Sequence, residues 1–282
     1  MSKVAQALVA ATQRLAPTSD TARLDAEVLM AHALGCSRSS LLLSRMGDAV
    51  PEGFAAMVER RAAQEPVAYV TGVQEFWGLP FKVTPDTLIP RGDSETIVEA
   101  ALDACPAPAR VLDCGTGTGA LLLAVLHERP QAQGIGIERS AGALAVAREN
   151  AAALGLDGRA TMQAGDWTQA GWADGLGRFD LILSNPPYVE EDADLSPSVR
   201  DYEPASALFA GRQGLDDYAC LLPQLLDLLT PAGVAVVEIG HQQAGPVAQI
   251  AGQAGMDAQL FRDLAGRARA LLLSRRQFPQ FP

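Results

Sequence analysis

Residues 110–119 have the sequence Arg-Val-Leu-Asp-Cys-Gly-Thr-Gly-Thr-Gly, and this stretch decides the fold. Its first half, Arg110–Cys114, is a short apolar run that is typical of a buried strand. The glycines that follow have no Cβ atom, so they tolerate positive φ angles and let the backbone approach a ligand closely. Residues 120–129 then predict a helix that stops before Pro130. A strand, a glycine-rich turn and a helix in this order predict the first unit of a doubly wound α/β sheet.

The alternation of strands and helices continues to the end of the chain. A second helix is predicted over residues 141–154, and further strands over residues 134–138, 160–164, 181–184 and 234–239. Residues 258–263 and 269–275 predict a closing antiparallel pair. The fold class is therefore α/β, and a sheet of this kind binds its ligands at the carboxyl ends of its strands.

The chain before the sheet has a different character. Residues 1–75 predict a helical domain, with helices that start near Asp20, at Ser39 or Ser40, and after Pro51. This domain either only stabilises the protein or grips a macromolecular substrate, and the sequence favours neither. Aromatic and β-branched residues broken by glycine and proline predict a hairpin within residues 74–90. We predict a helical domain over 1–75, a hairpin linker over 76–90 and a catalytic domain over 91–282.

Composition excludes several classes of function. The net charge is −11, of which residues 76–282 carry −10, so a phosphate backbone would be repelled and a general DNA-binding role is disfavoured. The cysteines and histidines are too scattered for a zinc site, and we predict no metal and free thiols in a reducing cytosol. With neither a signal pattern nor a membrane-spanning apolar run, we expect a soluble intracellular protein.

A carboxylate follows the second predicted strand. Glu138 lies 25 residues after Asp113, at the position where a carboxylate can accept hydrogen bonds from both hydroxyls of a ribose. This pattern serves both NAD and S-adenosylmethionine. The alternatives are that Asp113 forms a turn and that Glu138 is a solvated strand end. Their occurrence on consecutive strands favours adenosine binding.

The third and fourth predicted strands also end in groups that fit a nucleotide-dependent reaction. Asp166 can accept from an adenine amino group and Trp167 offers an apolar wall, although a core tryptophan is the simpler reading. Asn185-Pro186-Pro187-Tyr188 leaves the fourth strand stiffly, because neither proline has an amide hydrogen. An amide in front and an aromatic ring behind can hold a planar NH2 group. A methyltransferase acting on an amino or amide nitrogen needs such a clamp, whereas a dehydrogenase does not.

The chain closely resembles the N5-glutamine methyltransferases that modify class I peptide-chain release factors. The resemblance extends from Leu24-Asp25-Ala26-Glu27 to Arg275. Its most specific segments are Glu75-Phe76-Trp77-Gly78-Leu79-Pro80-Phe81, Leu88-Ile89-Pro90-Arg91, Val111 to Gly119, Asn185-Pro186-Pro187-Tyr188-Val189 and Ala207-Leu208-Phe209-Ala210-Gly211. The Asn-Pro-Pro-Tyr tetrapeptide alone is shared with DNA adenine methyltransferases.

This resemblance implies a seven-stranded class I S-adenosylmethionine-dependent methyltransferase domain, Rossmann-like, preceded by a helical domain that helps to hold the release factor. It places the cofactor on Asp113, Gly115, Thr116, Gly117, Thr118, Gly119, Glu138, Asp166, Trp167 and Asn185. It assigns substrate binding to Asn185, Pro186, Pro187, Tyr188 and Arg91, and catalysis to Asn185, Pro186 and Tyr188. It also implies a cytoplasmic monomer that binds neither nucleic acid nor membranes.

Two positions depart from the family pattern. The common Arg-Pro-Glu-Thr-Glu is Arg91-Gly92-Asp93-Ser94-Glu95 here, and the ribose acid, often aspartate, is Glu138. Neither change removes the polar character of its site.

Three rival functions stay open from sequence. A related branch methylates a glutamine of a ribosomal large-subunit protein, and one sequence does not separate the two substrates. A DNA adenine methyltransferase would use the same clamp but would need a basic recognition domain. A nucleotide-binding scaffold without activity would leave every strand-end group idle.

Overall fold

The computed structural model describes residues 3–276, which group into two compact units. The helical unit comprises the described residues up to Val73 together with Leu195–Glu203. The sheet unit comprises Gln74–Asp194 and the described residues from Pro204 onward. The helical unit is thus built from two separate stretches of chain, whereas the sequence predicted a single N-terminal stretch.

Short helices make up the helical unit. In chain order they are α1 Val4–Leu15, α2 Ala22–Ala33, α3 Arg38–Ser40 with a π-helical turn Leu41–Arg45, α4 Phe54–Ala62, α5 Val67–Thr71 and, from the second stretch, α9 Pro197–Arg200. The apolar faces of α1, α2 and α4 bury a core that includes Leu8, Leu29 and Phe54. The largely buried pair between Arg61 Nε and Asp25 Oδ2, 2.7 Å apart, ties α4 to α2.

A two-stranded hairpin follows, formed by β1 Val73–Phe76 and β2 Leu79–Lys82. Trp77 and Gly78 between them both have positive φ angles, of 56° and 70°, as a tight two-residue hairpin turn requires. Glu75 and Glu95 hold this turn by accepting the backbone amides of Gly78 and Trp77 at 2.6 and 2.8 Å.

Within residues 3–276 the main sheet has seven strands, as predicted. They are β3 Arg110–Cys114, β4 Gln133–Glu138, β5 Ala160–Ala164, β6 Phe179–Ser184, β7 Leu229–Glu238, β8 Met256–Arg262 and β9 Ala268–Arg275. Their order is β5-β4-β3-β6-β7-β9-β8, and β9 pairs antiparallel with both β7 and β8 while the remaining pairs are parallel. The strand order reverses between β3 and β6, and the crevice at such a point is where doubly wound sheets bind ligands.

Helices cover both faces of this sheet. The helices of the unit are α6 Glu95–Ala104, α7 Ala120–Glu128, α8 Ala141–Ala153, α10 Asp216–Leu228 and α11 Ala244–Gln253. Side chains of β3 alternate between the two faces, so that Val111 packs in the core with α6 to α8 and Leu112 in the core with α10 and α11. Nowhere in residues 3–276 is a helix both long and apolar enough to cross a membrane.

Candidate active site

A cleft lies at the carboxyl ends of β3, β4, β5 and β6. Its volume is about 910 Å³ when the solvent-open mouth is included. The residues predicted from sequence that line it are Gly115, Thr116, Gly117, Thr118, Glu138, Asp166, Trp167, Asn185 and Pro187. Tyr188 and Arg91 line a neighbouring polar cavity instead, while Asp113, Gly119 and Pro186 line neither.

The glycine turn, residues 115–119, closes the end of β3. Gly115, Gly117 and Gly119 have φ angles of 76°, 56° and 86°, so the turn uses the freedom that only glycine offers cheaply. The amides of Gly115 and Thr116 both donate to the Ile137 carbonyl of β4, each at 2.9 Å. A Cβ atom on Gly115 would lie only 3.0 Å from the Trp167 ring. The turn is therefore fitted against that indole.

Asp113 lies beneath the turn, only 1% exposed. Its Oδ2 accepts a hydrogen bond from the Thr116 hydroxyl at 2.6 Å. Burial raises the pKa of Asp113 to about 7, and the charge of Glu138 adds to the rise against the opposing effect of the Thr116 hydrogen bond. This position suits a structural role for Asp113, in which it supports the conformation of the glycine turn.

Glu138 uses both carboxylate oxygens to hold the cleft wall. Oε2 accepts the Gly117 amide at 3.0 Å, and Oε1 accepts the Ser140 amide at 2.8 Å. A carboxylate has about four acceptor positions, so two remain for hydroxyl groups of a ligand. The side chain lines the cleft and is 9% exposed.

Asp166 and Trp167 follow β5. The Thr168 amide and hydroxyl donate to Asp166 Oδ1 at 2.9 and 2.7 Å. The hydrogen bond from the Thr168 amide is the main reason that the pKa of Asp166 lies below its ordinary value. The Trp167 indole donates to Asp217 Oδ1 at 3.2 Å, which fixes the ring plane against the glycine turn.

The clamp, Asn185 to Tyr188, follows β6. Asn185 is half-buried and lines the cleft, and no hydrogen bond from residues 3–276 reaches its side chain. The Tyr188 and Val189 amides both donate to the Leu208 carbonyl, at 3.1 and 2.8 Å. The two segments that carried much of the sequence resemblance, residues 185–189 and 207–211, are thus hydrogen-bonded neighbours.

Comparisons with known proteins find relatives for both parts of the chain. Residues 6–72 match the model of the PrmC N-terminal domain, and residues 107–255 match that of a methyltransferase domain. A release factor glutamine methyltransferase of Rhodospirillum rubrum is 42% identical over 92% of this chain and 81% of its own length. One of Cereibacter sphaeroides is 44% identical over 95% of this chain and 96% of its own. The chain belongs to the release factor glutamine methyltransferase family.

A solved methyltransferase of Pyrococcus furiosus supports the fold. It aligns with a TM-score of 0.52 at 18% identity, covering 78% of this chain and 95% of its own. This likeness supports the class I methyltransferase fold. The family membership makes the chain a methyltransferase, and its cofactor is S-adenosylmethionine.

The cleft of this family member fits that cofactor. Glu138 retains two acceptor positions, which would suit ribose hydroxyls, and Asp166 has a carboxylate and Trp167 an apolar ring, which would suit an adenine. A Cβ atom on Gly117 would meet no protein atom within 4 Å, so the turn leaves open space at its tip.

Four polar residues that support the site were not predicted. Asn150 donates to the carbonyls of Thr118 and Lys82 at 2.9 and 3.1 Å, Asp217 holds Trp167, and Ser94 and Glu238 lie behind the clamp. Each contacts a residue at least 32 positions away in sequence, so spacing gave no indication of the contacts. Glu238 alone carried a usable signal, since it ends its strand as Glu138 does.

Proposed function

We propose that this enzyme methylates the N5 atom of the glutamine in the Gly-Gly-Gln motif of class I peptide-chain release factors. The observation that carries this proposal is the Asn185 side chain, which lines the cofactor cleft and makes no hydrogen bond within residues 3–276. An unused amide beside a cofactor site is suited to hold another amide. The names of the relatives supply the substrate class.

The chemistry begins from a poor nucleophile. The lone pair of a primary amide nitrogen is delocalised into its carbonyl group, so the nitrogen must be held with that lone pair directed at the methyl carbon. When bound, S-adenosylmethionine supplies an electrophilic methyl group on a sulfonium centre.

The clamp performs the orientation. Asn185 Oδ1 and the Pro186 carbonyl accept the two amide hydrogens of the glutamine, which fixes the plane of its NH2 group. Aligned reactants can gain on the order of 7–11 kcal/mol from orientation alone in favourable systems. The two acceptor dipoles also stabilise the positive charge that develops on nitrogen. The proton leaves to water afterwards, so no strong base is required.

The other assignments follow the cleft. The glycine turn faces the methionine part of the cofactor, Glu138 accepts from the ribose, and Asp166 with Trp167 contacts the adenine. Arg91 lines the second cavity beside Tyr188, where it contributes to binding of the protein substrate. Because release factors act on ribosomes, we place the reaction in the cytoplasm, and we expect the enzyme to act as a monomer.

Mass spectrometry tests the proposal. Purified class I release factor is incubated with the enzyme and S-adenosylmethionine, beside a ribosomal large-subunit protein and an adenine-containing DNA duplex. We expect one added methyl group on the Gly-Gly-Gln glutamine, lost with Asn185→Ala and with a release factor whose glutamine is replaced by alanine. Methylation of the ribosomal protein alone or of the duplex alone would overturn the assigned substrate.

A further inference from the structure

Glu238 is a buried carboxylate at the end of β7, directly beside the clamp. In the parallel pairing of β6 and β7, Ser184 faces Val237, so the register places Glu238 opposite the position of Asn185. Its side chain is 1% exposed, and it lines the second cavity together with Tyr188. A carboxylate is buried at a large cost unless hydrogen bonds compensate it, so its partners are informative.

Two hydroxyl groups satisfy this carboxylate. The Ser94 hydroxyl donates to Oε2 at 2.6 Å, and the Tyr188 hydroxyl donates to Oε1 at 3.2 Å. Burial raises the pKa of Glu238, and the Ser94 hydrogen bond and the charge of Arg269 oppose that rise. Ser94 also lines the cofactor cleft, so Glu238 connects the wall of the cleft to the clamp.

The clamp needs such a support because of its prolines. Pro186 and Pro187 have no amide hydrogen, so the backbone between Ser184 and Tyr188 has only the Asn185 amide to donate. Tyr188 therefore anchors the far end of the clamp. Its amide donates to the Leu208 carbonyl at 3.1 Å, its carbonyl accepts from Gln243 Nε2 at 3.0 Å, and its hydroxyl reaches Glu238.

We propose that Glu238 is a positioning residue for methyl transfer, acting through Tyr188. By accepting the Tyr188 hydroxyl it fixes the aromatic ring, and the stiff Pro186-Pro187 pair transmits that constraint to the Asn185 amide. This inference rests on the proposed function, because the orientation of Asn185 matters to catalysis only if it holds the substrate amide.

The substitution Glu238→Gln tests the role with little change in size. An amide oxygen replaces one carboxylate oxygen and the other becomes a donor, so the two hydroxyls no longer both donate to the side chain. The Tyr188 hydroxyl then bonds a neutral amide instead of a carboxylate, and this weaker hydrogen bond should lower kcat for release-factor methylation by about tenfold. The KM for S-adenosylmethionine should change far less than kcat.

Tyr218→Phe is the matched control. The Tyr218 hydroxyl donates to the main-chain carbonyl of Glu238 at 2.8 Å and is buried, but it does not contact the carboxylate. Its loss should lower stability and leave kcat as in the wild type.

A double-mutant cycle identifies the route of the effect. If Glu238 acts through the tyrosine hydroxyl, Tyr188→Phe combined with Glu238→Gln should lower kcat no further than the more severe single substitution. A double variant whose fold loss of kcat equals the product of the two single losses would contradict that route.

Hydrogen exchange supplies a readout that does not depend on activity. The Tyr188 and Val189 amides should exchange faster in Glu238→Gln than in the wild type, after correction for global stability, and not in Tyr218→Phe. Unchanged exchange overturns the positioning role, whatever the value of kcat. If Glu238→Gln does not fold, Tyr188→Phe breaks the same hydrogen bond from the other side and carries the same expectations.

The two proposals fail in distinguishable ways. A wild-type enzyme that methylates no release factor, with the expected change in exchange, overturns the proposed function and retains only the anchoring of Tyr188 by Glu238. If the wild-type enzyme methylates the glutamine but Glu238→Gln leaves exchange or kcat unchanged, the proposed function is retained and the positioning role is overturned.

Discussion

Asn185 differs from its neighbours in the clamp because its side chain makes no hydrogen bond within residues 3–276, whereas Tyr188 is bound at its amide, carbonyl and hydroxyl groups. The Asn185 side chain is therefore available to bind a ligand, whereas Tyr188 is held in place by the protein. This division predicts different consequences for substitutions only three positions apart.

Asn185→Ala should lower kcat by about 10²–10³-fold, the scale seen when one preorganised polar group is removed from a catalytic site. Affinity for S-adenosylmethionine, measured by calorimetry, should fall far less. Asn185→Asp retains an acceptor oxygen at the same place and should keep more activity than Asn185→Ala. Equal losses of turnover and cofactor affinity in the alanine variant would contradict this division of roles.

Asp113 should make stability depend on pH. Its pKa is about 7 in the folded protein and about 3.9 in an unfolded chain, so the folded state binds more protons between these values. The contribution of Asp113 to the stability of the folded state is fully present below pH ~3.9 and is lost as pH rises through about 7. Relative to Asp113→Asn, the wild type should lose up to about 4 kcal/mol across this range.

Urea unfolding of both proteins at several pH values checks that expectation. In the substituted protein the Thr116 hydroxyl still finds an acceptor oxygen, so the comparison isolates the titration. Parallel stability profiles would show that Asp113 does not titrate there.

At the scale of elements, the glycine turn and the strands could be predicted because their signals are local. The predicted strands 110–114 and 160–164 coincide with β3 and β5. Helices α10 and α11 were not predicted, and α10 contains Pro223, which normally argues against a helix interior. Supporting contacts such as Asn150 to Thr118 depend on tertiary packing, so no sequence spacing announces them.

Gly115→Ala should disturb cofactor binding as well as stability. The new Cβ would lie 3.0 Å from the Trp167 ring, and the φ angle of 76° is already unfavourable for alanine. Gly155→Ala is the matched control, since Gly155 has a φ of 68° but would meet nothing within 4 Å. Both should lose about 1–2 kcal/mol of stability, and only Gly115→Ala should weaken S-adenosylmethionine binding. Equal cofactor affinities would contradict the close fit of turn and indole.

Asn150→Asp should weaken the connection between β2 and the glycine turn. The carboxylate would face the Lys82 and Thr118 carbonyls that the amide now donates to, at a cost of roughly 1–3 kcal/mol for each unsatisfied group. Denaturant unfolding and cofactor titration should both show the loss.

Glu149→Gln provides the comparison on the same helix. It breaks the exposed ion pair with Lys82 Nζ, and an exposed pair contributes only about 0–1 kcal/mol. Wild-type cofactor affinity in Asn150→Asp would contradict the proposed support of the turn.

At the scale of the whole molecule, the helical unit depends on a segment distant in sequence. The Tyr202 hydroxyl donates to the Ala63 carbonyl at 2.7 Å, just after the end of α4. Tyr202→Phe should therefore cost about 0.5–1.5 kcal/mol of stability. Cofactor affinity should not change, because every residue of the cleft belongs to the sheet unit. A loss of cofactor affinity comparable with that of Gly115→Ala would contradict this independence.

The discontinuous helical unit also constrains how such chains can be exchanged between relatives. A single crossover near Val73 would join the N-terminal helices of one parent to Leu195–Glu203 of the other, and would combine segments of two parents within one compact unit. A functional chimera therefore needs two further junctions, around residues 195 and 203, so that the second stretch comes from the same parent as the helices. The two stretches of the helical unit must therefore come from the same parent, although more than a hundred residues of the sheet unit lie between them in sequence.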